Sequence, residues 1–278
     1  FVRAMKRVFP DMPILLRMVS CALLCCFAAG CVEYHPYDTR IKGEKSINSV
    51  NALRIEQACA GRRSIRFAVI SDSQRWYDET EDAVAALNAR GDIDFVLHTG
   101  DLADFGLRNE FELQRDILNK LTAPYVCVIG NHDCLATGEI IFREIFGDYN
   151  MAFTAGDVRF LCLNTNSLEF DACEAVPNFG FIGSQLESFP SEARKTVVAM
   201  HAQPFSEQFN NDVAEIFQSY LRSFPSLQFC VHGHSHSVTA EEIFSDGVVY
   251  YQCANTGERS YLLFTIDEEG YEYEAVYF

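Results

Sequence analysis

Six residues of one chemical kind sit just after apolar runs: Asp72, Asp101, Asn131, His201, His234 and His236. Carboxylate, carboxamide and imidazole groups suit Mn, Fe, Zn or Mg better than they suit a soft, thiolate-seeking metal. An Asp can bridge two cations and offset their repulsion. Two cations about 3.5–4 Å apart can clamp a phosphoryl group and activate a hydroxide between them. Gly100, Gly130 and Gly233 stand beside these residues, where a backbone without a side chain permits a tight turn. One such strand end means little, but five of them carrying Asp, Asn or His are hard to attribute to scatter.

Delivering these groups to one place requires strands that end together. The apolar runs Ile65 to Ser71, Phe95 to His98, Tyr125 to Ile129, Val158 to Leu163, Thr196 to Met200 and Leu227 to Val231 read as strands. Between them, Asp78 to Arg90, Asn109 to Leu121, Glu139 to Phe146 and Asp212 to Leu221 have helical apolar spacing. The tail from Thr239 to Phe278 reads as three or four strands, with Asp246-Gly247 and Glu269-Gly270 as turn signals. Alternating β and α elements predict an open or sandwiched α/β sheet. In such sheets the crevice at the carboxyl ends of the strands holds the ligand.

The order Asp72-x-Gln74, Gly100-Asp101, Gly130-Asn131-His132-Asp133, His201 and Gly233-His234-x-His236 resembles the calcineurin-like metallophosphoesterase family. The resemblance implies a four-layer α/β/β/α sandwich over residues 64–278. It also implies two divalent metal ions and hydrolysis of a phosphomonoester or phosphodiester by in-line attack of a metal-bridging hydroxide. On that basis Asp72 and His236 hold the first metal, Asp101 bridges, and Asn131, His201 and His234 complete the second. His132 would lie near the leaving group, and Asp133 would orient His132. Gln74 stands where the family usually has His; its carbonyl oxygen is a weaker donor than imidazole and favours a looser first metal or a harder ion such as Mn or Mg. Asp104 stands where the purple acid phosphatase branch has Tyr, which argues against a Tyr-ligated ferric site.

The chain has 278 residues and a formal net charge of −17. Beyond position 30 it holds 18 basic and 38 acidic residues, so that part is more negative still. This charge repels nucleic acid and points to a small phosphate ester as substrate. At the other extreme, Lys6, Arg7 and Arg17 precede the apolar run Met18 to Ala29, which ends at Gly30-Cys31. Residues 1–30 read as a signal peptide and Cys31 as a lipidated residue. Residues 31–63 then form a tether, with a short helix possible around Val50 to Ala60. The expected location is the bacterial cell envelope, with the lipid holding the chain to a membrane. An ordinary secretory signal cut nearby remains open on the same residues. The remaining seven Cys show no CxxC pair, and several sit in apolar runs as small hydrophobes.

Other candidates have plainer readings. His98 reads as a core histidine, Asp104 as a helix cap, and Asn164 and Asn166 as turn residues. His232 supports its loop or orients a ligand. Trp76 and Tyr77 either line a pocket or pack under the loop. The rival to an enzyme is a non-catalytic metal-binding surface lipoprotein; a third possibility is metal-dependent hydrolysis of a non-phosphate ester or amide.

Overall fold

In β1 (Ile65–Ile70), Phe67 and Val69 face one way and Ala68 and Ile70 the other, and all four are fully buried. A strand buried on both faces reads as a continuous apolar run, and it needs a layer on each side. The same holds for β2 (Phe95–His98), β5 (Val158–Leu163), β6 (Lys195–Met200) and β7 (Leu227–His232). The computed structural model describes residues 37–170 and 174–278, together with 19 and 35.

Two sheets result. The first runs β11-β10-β1-β2-β3, with β3 at Tyr125–Cys127, β10 at Ser260–Ile266 and β11 at Tyr271–Tyr277. The second runs β4-β5-β6-β7-β9-β8, with β4 at Met151–Ala155, β8 at Thr239–Glu241 and β9 at Val249–Gln252. The ligand-bearing strands β1, β2 and β3 are parallel, as are β5, β6, β7 and β9.

Between the sheets lies an aromatic core in which Phe67 stacks on Phe95 and Phe264 and meets Phe160 edge-on. Outside the first sheet pack α2 (Tyr77–Arg90), α3 (Arg108–Leu118) and α4 (Gly138–Ile145), through Val84, Phe111 and Phe142. Outside the second pack α5 (Phe179–Glu187) and α6 (Ala214–Arg222), through Ile182 and Phe217. This is the expected four-layer α/β/β/α sandwich.

The segment expected to be a tether is in large part structural. From Thr39 onward it belongs to the same compact unit as the sheets, and α1 spans Ile47–Cys59. Ile55 and Cys59 enter the inter-sheet core. Asn48 exchanges two hydrogen bonds with the Cys127 backbone (both 2.8 Å), Asn51 donates to Tyr125 O, and Glu56 accepts from Thr154 N. Thus α1 satisfies backbone groups on β3 and β4, strands that would otherwise present open edges. The expected signal peptide and Cys31 lie outside the described residues, apart from Val19. Among the described residues no helix is long and apolar enough to cross a membrane.

Candidate metal centre

Asp72 follows β1, Asp101 follows β2, Asn131 follows β3, His201 follows β6, and His234 and His236 follow β7. The fold brings all of them, with Gln74, to one rim. Four of these residues have left-handed backbone: Asp72 (φ 49°), Asp101 (59°), His234 (76°) and His236 (60°). Such conformations cost on the order of 1 kcal/mol or more each, and they cluster where surrounding structure over-determines them. Two glycines permit the close approach: a Cβ on Gly130 would collide with the Asp101 backbone and carboxylate, and one on Gly233 with Ser71 and Asp72.

The buried half of the cluster centres on His201. Its Nδ1 lies 2.8 Å from Thr99 O, so Nδ1–H donates there and Nε2 faces inward. That Nε2 is 2.9 Å from Asn131 Oδ1 and 3.4 Å from Asp101 Oδ2, and His234 Nδ1 is 3.1 Å from the same Asn131 oxygen. Nε2 meets these oxygens as an N–H donor when the ring is protonated, and as a ligand to a cation among them once that proton is lost. Burial alone would lower the His201 pKa, but Asp101 and Asp72 override it and raise it to about 9.

The outer half centres on Asp72, whose Oδ1 lies 3.2 Å from His236 Nε2. Burial opposes ionisation of Asp72, yet the His236 ring, His201 and the Ser71 hydroxyl hold its pKa below the usual carboxylate value. Gln74 Nε2 donates to Asp101 Oδ2 (3.2 Å). Gln74 Oε1 is buried without a hydrogen-bond partner, and Asp72 Oδ1 meets only the His236 ring. An orphaned oxygen of this kind is costly unless something ligates it. Ligand atoms of Asp72, Asp101 and His201 all lie within 4.8 Å of one another. The donor set and its orphan therefore fit hard or borderline divalent cations.

Asp133 has a different partner from the expected one. Its Oδ2 accepts from Asp101 N (3.0 Å) and Gly130 N (2.9 Å), and its Oδ1 from Leu102 N and Ala103 N (both 2.8 Å). Four N–H donors occupy the four lone-pair positions of a carboxylate, leaving none for His132. Asp133 thus clasps the two ligand loops together. Burial and the Asp101 charge push its pKa up, against the pull of the Ala103 and Gly130 amides. His132 is instead held by Asp104: its Nδ1 is 2.8 Å from Asp104 O and 3.8 Å from Asp104 Oδ1. Asp104 is therefore no helix cap. Its spacing, three residues after Asp101, was the available signal, but only the folded loop shows which ring it meets.

The remaining candidates separate cleanly. His98 is a core histidine, accepting from Gly100 N and paired with Ser73 Oγ (2.8 Å); burial lowers its pKa to about 4. His232 is buried, with Nδ1 beside Gly233 O and its pKa also lowered to about 4 by burial. Asn166 donates to Ile129 O and to Asn164, joining the two sheets at the rim. Tyr77 packs against the helix-side core, and Trp76 lies over Gly257. Sequence reasoning passed over Glu207, whose Oε1 lies 3.2 Å from His234 Nε2.

The calcineurin-like phosphoesterase family profile matches residues 65–238, a span that holds every ligand just described. The chain belongs to that family. A 3′,5′-cyclic-nucleotide phosphodiesterase of Nostoc sp. is 25% identical over 180 residues, covering 60% of this chain. The match spans 66% of that relative's own length. Among solved structures, a purple acid phosphatase from yellow lupin seeds superposes with a TM-score of 0.59 at 14% identity, covering 77% of this chain and 52% of that one. GAP50, the anchor in the inner membrane complex of Plasmodium, superposes at 0.58 with 12% identity, covering 78% and 85%. At such identities the likeness carries the fold alone, and an anchor and a phosphatase share it. The phosphoesterase family, the fold and a possible Asp/His metal cluster thus stand together.

Proposed function

We propose that this member of the family hydrolyses a small phosphomonoester or phosphodiester with two divalent cations. Asp72, Gln74 and His236 would hold one, Asn131, His201 and His234 the other, and Asp101 both. The observation that carries the reading is the inward convergence of His201 Nε2, Asn131 Oδ1 and the Asp101 carboxylate. When bound, such cations supply Lewis acidity to the phosphoryl oxygens and a nucleophilic hydroxide. The protein's own part is positional. The Thr99 carbonyl sets the His201 tautomer, the Asp133 carboxylate locks the loop of Asp101 to Gly130, and His132 N donates to Asp101 Oδ1 (2.9 Å). With His132 Nδ1–H directed at Asp104 O, Nε2 is the nitrogen that faces the ester, and the ring in its imidazolium form would give its Nε2 proton to a departing alkoxide.

The test is turnover of paired chromogenic mono- and diester substrates by metal-stripped protein, then with Mn, Mg, Zn or Fe, beside an Asp101→Asn control. Metal-restored turnover that is lost in the control supports the proposal. The rival, a non-catalytic metal-binding lipoprotein, is favoured by Gln74 and predicts metal-dependent melting with no turnover. We also place the chain at the bacterial cell envelope through a lipid on Cys31, on the strength of the basic–apolar–Ala-Ala-Gly-Cys pattern. Metabolic labelling with a fatty-acid probe, lost in Cys31→Ser, tests that placement.

A further inference from the structure

The five loops that carry ligands span residues 71–76, 99–107, 130–137, 201–210 and 233–238, and Arg75 is the one Lys or Arg among them. Its backbone is left-handed (φ 62°), in a turn closed by Gln74 N to Asp101 O and Trp76 N to Ser73 O. That turn carries its guanidinium to the Asp104 carboxylate, the same group that lies 3.8 Å from His132 Nδ1. The Arg75 side chain is 58% exposed. An ion pair so open to water contributes little to stability. A guanidinium has five N–H donors, and Asp104 engages Nη2, leaving others toward solvent. Across the cluster the situation reverses: the exposed Glu207 carboxylate stands at His234 Nε2. The rim is therefore uneven: an open guanidinium, offset by Asp104, stands beside His132, and an exposed carboxylate stands beside His234.

We propose that Arg75 is a substrate-binding residue that holds a second anionic group, phosphate or carboxylate, on the leaving-group side of the ester. The proposal deepens the phosphoesterase reading and rests on it. It selects phosphate esters or anhydrides whose leaving group is itself charged, which Arg75 would grip by charge-assisted hydrogen bonds while Glu207 repels the reverse orientation.

The experiment compares wild type, Arg75→Gln and Arg75→Lys, all metal-loaded, on phenyl phosphate and 3-carboxyphenyl phosphate, with calorimetric binding of inorganic pyrophosphate and orthophosphate. The expected result is that Arg75→Gln loses roughly tenfold more kcat/KM on the carboxylated ester than on phenyl phosphate, mainly through KM, or roughly tenfold more affinity for pyrophosphate than for orthophosphate. Arg75→Lys, which keeps the charge but not the fork, falls between. Discrimination in one arm alone tells carboxylate from phosphate. Equal losses across both pairs, including no loss, would overturn the proposal and leave Arg75 acting only through Asp104. If wild type turns over neither of these monoesters nor the paired diester, the phosphoesterase reading fails; in that case, and for an enzyme active on the diester alone, the binding arm decides the role of Arg75.

Discussion

The ligand cluster has one half sealed in the protein and one half open to water. His201 is fully buried, its ring fixed by Thr99 and its Nε2 flanked by Asn131 and Asp101. His236 keeps 50% of its side chain exposed, and Asp72 is its one hydrogen-bonding or ionic partner among the described residues. The sealed half is preorganised by backbone contacts from both sheets; the open half depends on one carboxylate and on an amide turned toward Asp101. A site held rigidly loses less on binding than one that must be ordered first. On the proposed two-cation reading, one cation would be tight and the other loose.

The largest expected effect breaks this comparison directly. His201→Ala should lower turnover roughly 100- to 1,000-fold, the scale on which loss of a charge-stabilising group acts, and excess metal should not restore it. His236→Ala should be recovered in large part by raising Mn into the millimolar range. Turnover titrated against metal reads both; identical, unrecoverable losses would mean the halves do not differ.

A second test concerns two fully buried histidines that shift in opposite directions. His201 faces two carboxylates and is raised to about 9, whereas burial lowers His98 to about 4. Because the His98 folded-state pKa lies below its unfolded value of 6.5, its contribution is complete above 6.5. It is lost as pH falls from there through about 4, by up to about 3 kcal/mol. His98 sits under the Gly100-Asp101 turn, so the loss falls on the sealed half. His98→Gln can accept from Gly100 N and donate to Ser73 without titrating. Urea unfolding of both proteins from pH 7 to 4 should show wild type losing stability relative to the variant as the pH falls; a constant difference would refute the assignment.

Much of the fold was legible because buried strands are continuous apolar runs and each ligand follows one. The predicted helix from Asn109 to Leu121 appears as Arg108–Leu118, shortened where Asn119 caps it. By contrast β4 and α5 were not read: β4 is five residues long, and α5 carries two glycines and buries only Ile182. Within the site, residue types pointed to the candidate ligands, which the fold brings to one rim, since metal chemistry restricts them. The partners of Asp133 and His132 were hidden because they are backbone atoms, all but Gly130 N about 30 residues away, which no side-chain pattern records. The role of α1 was hidden for the same reason, since its asparagines address backbone on β3.

That helix gives a smaller effect. Removing the Asn48 side chain leaves the Cys127 N–H and C=O without partners, three residues before Gly130 and so beside the sealed half. Asn48→Ala should cost about 2 kcal/mol of stability by thermal or urea unfolding. Unchanged stability would show that β3 does not need α1 to close its edge.

The smallest effect sharpens the comparison from the other side. Gln74 donates Nε2 to Asp101 while its Oε1 stays buried and unpartnered, so ligation through oxygen requires the amide to turn and give up that bond. The bond is worth about 1 kcal/mol net. Imidazole at this position would offer a stronger donor without the rotation. Gln74→His should therefore tighten the weaker of the two cation sites roughly tenfold, with the stronger site unmoved, as read by calorimetric titration of metal-stripped protein. Tightening of both sites would mean that position 74 acts through Asp101 on the whole cluster. An unchanged curve would trace the loose site to the exposed His236.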